Sequence, residues 1–221
     1  MKNVIQQLMG ASNVPTSFQA AHIILALILF AEQTRIGRYE LSKELGLSDA
    51  STRTILKRLK ERNLIELVSQ REGHKITKDG MTVTQNVLKH MKLSLERYNL
   101  GDFTVGHSSA LVLISGQNIR DRLIQIRDAA IKAEALGCTA FLCTEKGFIV
   151  PGYDEEDFLV EDPTVITYLE ALNPKVGDWI LAGTASLKKG ENIDKTKKGE
   201  DFSFIRARIG AVAAAMAALA E

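Results

Sequence analysis

Residues 39–65 read YELSKELGLSDASTRTILKRLKERNLI, and this stretch decides the first half of the fold. Tyr39 to Leu45 places Leu41 and Leu45 four apart on one face of a short helix. Gly46 follows, where a helix end favours the left-handed backbone that glycine adopts without a Cβ clash. Ser48 is a good N-cap for a next helix reaching about Arg62, with Ser51 standing where Glu or Gln would complete a capping box. On that helix Thr52, Ile55, Leu56 and Leu59 form one stripe, while Arg53, Thr54, Lys57, Arg58 and Lys60 point elsewhere. Asn63 suits helix termination, Leu64 to Ser69 alternates as a strand, Arg71-Glu72-Gly73 supplies a hairpin turn, and His74 to Thr77 returns.

Upstream, Ser17 to Gln33 predicts a helix that is apolar nearly all round, so it belongs at a domain centre. Downstream, Lys78-Asp79-Gly80 leads into a fourth helix predicted to reach about Tyr98. Met81, Leu88, Met91, Leu95 and Tyr98 fall at alternating three and four spacing, with Thr84 at the missing position, which resembles a heptad seam. Two readings follow: the seam packs on the first helix, or it joins two copies. The second predicts a homodimer with dimerisation residues Met81, Leu88, Met91, Leu95 and Tyr98.

Asn99-Leu100-Gly101-Asp102 breaks the periodicity and sets the expected domain division at 1–100 and 101–221. Beyond it, strands are predicted near Ser108–Ser115, Thr139–Thr144, Phe148–Val150 and Trp179–Ala185. Helices are predicted near Ile119–Leu136, Pro163–Leu172 and Phe202–Leu219, and Lys188 to Asp201 reads as a charged surface loop. The fold class is α+β with two domains, the second a small α/β sandwich with helices against its sheet.

The chain of 221 residues, 45% hydrophobic and 25% charged, is globular in composition. Its net charge of +1 hides an asymmetry. Residues 1–100 carry 15 Lys and Arg against 9 Asp and Glu, and residues 101–221 carry 13 against 18, leaving about +6 and −5. A basic half beside an acidic one is expected when one domain meets a polyanion. Cys138 and Cys143 lie five apart in a strand, so they should face opposite sides as free thiols. The lack of a disulfide framework, together with a longest apolar stretch (Ala20 to Ala31) too short to span a bilayer, predicts a cytoplasmic protein without membrane contact.

The major groove of B-DNA accepts one helix, packed on one side and polar on the other. The Ser48-capped helix has that division. Asp49, Arg53, Thr54, Lys57 and Arg58 are its candidate reading residues, and Ser48 and Ser51 at its N-terminus suit phosphate oxygens. The hairpin adds Gln70, Arg71, His74 and Lys75, placed where backbone phosphates or the minor groove could be touched. The residues Leu41-Ser42-Lys43-Glu44-Leu45-Gly46-Leu47-Ser48, Ser51-Thr52-Arg53, Leu59 and Asn63-Leu64-Ile65 resemble winged helix-turn-helix transcriptional regulators. The likeness covers residues 17 to about 98, with Asn63 where most members carry Gly. It implies binding of double-stranded DNA through the third helix and the wing.

The second half more loosely resembles a companion domain of archaeal winged-helix regulators, on Arg127-Asp128-Ala129-Ala130-Ile131-Lys132-Ala133, Leu136-Gly137-Cys138-Thr139, Val150-Pro151-Gly152 and Gly177-Asp178. That likeness implies a sensing or assembly domain, with a small-molecule effector as a partner and no ligand identified. Neither a dinucleotide fingerprint nor a Walker loop occurs there. Ser115-Gly116-Gln117-Asn118 and Gly183-Thr184-Ala185-Ser186 offer weak anion nests, better read as turns. Tyr153 to Asp157 reads as a solvated acidic loop and not as a metal site. No catalytic residue, cofactor or metal ligand is assigned, and the chain is expected to be a regulator and not an enzyme. The alternative is an enzyme of small-molecule metabolism fused to a winged helix, as in some biotin ligases and archaeal riboflavin kinases. A third class uses the winged helix for protein contacts alone.

Overall fold

A computed structural model of the chain describes residues 17–152, 156–187 and 202–220. The predicted loop at 188–201 and most of the acidic run at Tyr153 to Asp157 lie outside the described residues. The protein is α+β, with a helical first unit up to Lys89 and a sheet-based second unit from His90 onward. Contacts therefore change allegiance before the expected break at Asn99.

In the first unit, helix α1 (Ala20–Glu32) is buried from Ile23 to Phe30 without interruption. A helix with no polar stripe must be covered on several sides, and α2 (Arg38–Leu45), α4 (Lys78–Leu88) and strand β2 (Gly73–Ile76) all pack against it. Gly46 ends α2 at φ 63°. Helix α3 (Asp49–Glu61) follows at once, capped by the Ser48 side chain, and Asn63 takes the left-handed conformation after it at φ 55°. Strand β1 (Ile65–Ser69) pairs antiparallel with β2 in the register Ile65↔Ile76 and Glu66↔Lys75. Ile36 adds a single bridge to His74, exchanging two backbone hydrogen bonds of 2.9 and 3.0 Å. This contact is what makes Gly73 obligatory, because a Cβ there would overlap the Ile36 carbonyl at φ +82°.

The fourth helix is shorter than its sequence period suggests. It stops at Leu88, and Met91–Leu93 form strand β3 of the second unit's sheet, paired with β4 (Ser108–Ile114) through Met91↔Ile114. Tyr98 bridges to Ser109, its hydroxyl 2.6 Å from Ser94 Oγ and its ring edge-on to Tyr168. The five residues of the proposed dimer seam are thus divided. Met81 and Leu88 sit half-buried on α4, Leu95 lies in a connection, and Met91 and Tyr98 are buried in the second unit. The physical reason is that β4 is buried at every position and needs a strand on each side. The alternation of Met91, Leu93 and Leu95 with Lys92, Ser94 and Glu96 answers that need better than a helical face does.

The second unit is one six-stranded sheet in the order β3-β4-β8-β5-β6-β7, every neighbouring pair antiparallel. The remaining strands are β5 (Gly137–Thr144), β6 (Gly147–Val150), β7 (Phe158–Leu159) and β8 (Trp179–Ala185). Helices α5 (Leu123–Lys132) and α7 (Phe202–Ala218) pack together on one face. Gly183 of β8 lies directly under α7, where a Cβ would overlap the Ala207 carbonyl and the Ala211 amide. The small residues of α7 let its backbone approach that closely, and Ser203 locks the start of the helix to Ser108 by a buried hydroxyl pair at 2.7 Å. The guanidinium of Arg122 donates to the carbonyls of Ala218 and Ala220 at the other end, satisfying acceptors that a helix C-terminus leaves open. Helix α6 (Pro163–Glu170) belongs to the opposite face, where Phe141, Phe148, Ile180, Val165, Leu169 and Leu172 join one apolar cluster. Among the described residues, no helix is long and apolar enough to cross a membrane.

Candidate nucleic-acid interface

Helix α3 is held by one side only. Thr52, Ile55, Leu56 and Leu59 are buried, while Arg53 and Lys57 stand exposed one turn apart. The Ser48 hydroxyl accepts from the Ser51 amide, and Thr52 Oγ1 donates to the Ser48 carbonyl at 3.0 Å, so the first turn is fixed by its own side chains. Thr54 donates to the Ala50 carbonyl at 3.1 Å and is half-buried.

Asp49 takes a central place on this face. Its carboxylate accepts from Arg53 at 2.8 Å and from Arg38 of α2 at 2.7 Å, so it orients two guanidinium groups beside the N-terminus of α3. Arg38 was not visible as a site residue in the sequence, because its link to α3 depends on how α2 crosses it. The remaining signal was its place directly after Gly37, at the exposed start of α2. Lys57 pairs with Glu61 at 3.8 Å, and Lys75 of the hairpin pairs with Glu66 across the strands at 3.0 Å. These pairs are exposed and each is worth under about 1 kcal/mol, so exchanging a carboxylate for a phosphate costs little. Arg71, at the hairpin tip, is exposed and has no partner among the described residues.

Three predicted contacts are placed otherwise. Ser51 is buried, its hydroxyl 2.5 Å from Ser17 Oγ and 2.8 Å from Ser48 Oγ, so it anchors α3 and is not offered to a phosphate. Arg58 folds back over the Phe18 ring at 5.1 Å and is half-buried. His74 turns its Nδ1 inward, where it is buried with no hydrogen-bond partner, and burial together with the nearby Lys60 charge lowers its pKa below the usual 6.5. A neutral, inward imidazole is a poor phosphate contact. These reversals share one cause, since period alone marks a polar residue as free without saying what lies above it.

The His74 shift carries a sign. A folded pKa below the unfolded value means that the unfolded chain binds the proton more readily, so the first unit loses stability as pH falls below about 6.5. Thermal melts at pH 7.5 and pH 5.5 should show this loss in the wild type and a smaller one in His74→Gln. An equal loss in both proteins would place the acid sensitivity elsewhere.

In the second unit the weak nests resolve as turns or packing. Gly116 lies in an exposed turn at φ 71°, and Gly183 is filled by α7. Cys138 and Cys143 are free thiols on opposite faces of β5, and burial pushes the pKa of Cys138 up to about 12.

The comparisons with known proteins follow this division. Residues 22–82, from α1 into α4, match the family model described as PH0730-like, N-terminal domain. Residues 105–193 match a domain of unknown function, DUF4443. The solved structure of hypothetical protein PH0730 from Pyrococcus horikoshii OT3 matches with a TM-score of 0.63 at 20% identity, over 90% of this chain and 91% of that one. This chain shares that protein's fold. A search of curated proteins finds no significant match. At such identity the likeness concerns architecture alone.

Proposed function

We propose that the chain is a sequence-specific regulator of transcription whose first unit is a winged helix-turn-helix that binds double-stranded DNA. In this reading α3 enters the major groove, with Arg53 and Lys57 reaching base edges and phosphates and Asp49 and Arg38 steering Arg53. The β1–β2 hairpin is the wing, bringing Lys75 and Arg71 to the backbone. The observation that carries it is the division of α3 into a fully buried stripe and an outward cationic side, on the more basic half of the chain. The N-terminal family match supports the same half as a unit of its own. Two copies on a pseudo-palindromic site are the usual arrangement for such heads, joined here by a surface other than a continuous 81–98 helix. The second unit serves sensing or assembly, and the protein acts in the cytoplasm.

Titrating labelled duplex with the full chain at several salt concentrations tests the reading. Neutralised phosphates release counterions, so affinity should fall by about 10- to 1,000-fold between 50 and 200 mM salt for a few phosphate contacts. An affinity indifferent to salt, or no duplex binding at all by the folded chain, removes it.

A further inference from the structure

Where β6 leaves β5, the second unit opens a cavity of about 490 Å³. The ladder between these strands contains only Leu142↔Ile149, Cys143↔Phe148 and Thr144↔Gly147. Among the described residues, the Gly137–Phe141 half of β5 therefore has no strand beside it on that side. Pro151, lacking an amide hydrogen, does not continue the pairing. The gap is bounded by Cys138, Thr139 and Ala140 of β5, by Val150-Pro151-Gly152, and by the start of α5. Arg127, Cys138-Thr139 and Val150-Pro151-Gly152, distant from one another in the chain, meet here.

The chemistry of the walls is uneven. Leu123, Ile124, Ile126, Ala140, Val150 and Pro151 supply apolar surface, while Arg120 and Arg127 supply charge, with Asp121 as the one carboxylate among the described lining residues. Arg120 reaches Asp157 through Nη2, and the same carboxylate oxygen accepts from the Gly152 amide at 3.3 Å, holding that side of the mouth in shape. Arg127 reaches Asp128 through Nη2 at 3.2 Å. A guanidinium has five N–H donors, so each arginine keeps donors to spare after its single carboxylate contact. Both side chains are about half exposed, so these ion pairs are weak and can be shared with a second acid. Small-molecule sites commonly combine an apolar lining of this size with a few convergent polar groups.

We infer that this cavity binds a small organic anion, a carboxylate on an apolar body, with the carboxylate held by Arg120 and Arg127 and the body laid against Ile126, Val150 and Pro151. The thiol in its wall, Cys138, is half-buried, and desolvation raises its pKa, which disfavours the nucleophilic thiolate. The inference stands apart from the DNA reading, because occupancy of this cavity is measured without duplex.

Amide spectra of the full 15N-labelled chain, titrated separately with benzoate and benzylamine, test it. Benzoate should shift the amides of Cys138–Ala140 and of Val150 and Gly152 with a dissociation constant of about 1–10 mM, the range a fragment of this size supports. Benzylamine, the same ring with a cation, should leave them in place. Arg127→Gln and Arg120→Gln should each weaken benzoate at least about tenfold while the rest of the spectrum keeps the wild-type pattern. Benzoate that leaves these amides unmoved at 20 mM, binds the variants as well as the wild type, or is matched by benzylamine overturns the site.

Discussion

Gly183→Ala should destabilise the second unit by about 3 kcal/mol or more. The added Cβ would meet the Ala207 carbonyl and the Ala211 amide, which are helix backbone and not the end of a flexible side chain. Only withdrawal of α7 from β8 makes room, and that withdrawal strips contacts from the buried Ala207, Ala211 and Ala214 and stretches the Ser108–Ser203 hydroxyl pair. Gly177→Ala in the same unit separates overlap from backbone strain. Gly177 has φ +93° but open space around it, so alanine there should cost only about 1–2 kcal/mol. Urea unfolding of both variants makes the comparison. If Gly183→Ala is no worse than Gly177→Ala, the close approach of α7 to β8 is wrong.

The second large effect concerns duplex DNA, and it rests on the proposed function. Reversing the exposed face of α3 with Arg53→Glu and Lys57→Glu should weaken duplex affinity at least about 100-fold. Each lost contact is worth about 1–3 kcal/mol, and the new carboxylates add repulsion from the phosphates. Neither side chain carries the core, since the buried stripe of α3 is made by Thr52, Ile55, Leu56 and Leu59, so the variant should melt within a few degrees of the wild type. Arg53→Ala alone should relax sequence preference, whereas Lys75→Ala should weaken all duplexes alike. Fluorescence anisotropy on specific and scrambled duplexes reads both. Wild-type affinity in the folded double variant would remove α3 as the reading helix.

The two halves of the chain differ in how openly they declare themselves. From Arg38 to Ile76 each element is announced by its own residues. Leu41 and Leu45 mark one helix, Gly46 its end and Ser48 the next start, Asn63 turns the chain left-handed, and Arg71-Glu72-Gly73 makes the hairpin. These are local effects, acting over one helical turn or one tight turn, and a sequence carries them whole. The stretch after Leu88 was misleading for the opposite reason. Met91, Leu95 and Tyr98 fit a helical period, Met91, Leu93 and Leu95 fit a strand period, and only the vacant edge of β4 chooses between them. The candidate interface divides the same way. Arg53 and Lys57 follow from helical period, but the burial of Ser51 under Ser17, the inward turn of His74 and the recruitment of Arg38 by Asp49 depend on segments that meet only in the folded unit.

By itself, then, the amino-acid order determined where helices begin and end in the first unit, which side of α3 is apolar, and that the chain divides into a basic and an acidic half. Tertiary structure alone decided the sheet order with β8 between β4 and β5, the transfer of Met91–Leu93 to that sheet, and the cavity left where β6 parts from β5. Capping, turn formation and helical period are settled among neighbours in the chain. Strand pairing and burial are settled by whichever distant surface supplies the missing hydrogen bonds and excludes the water.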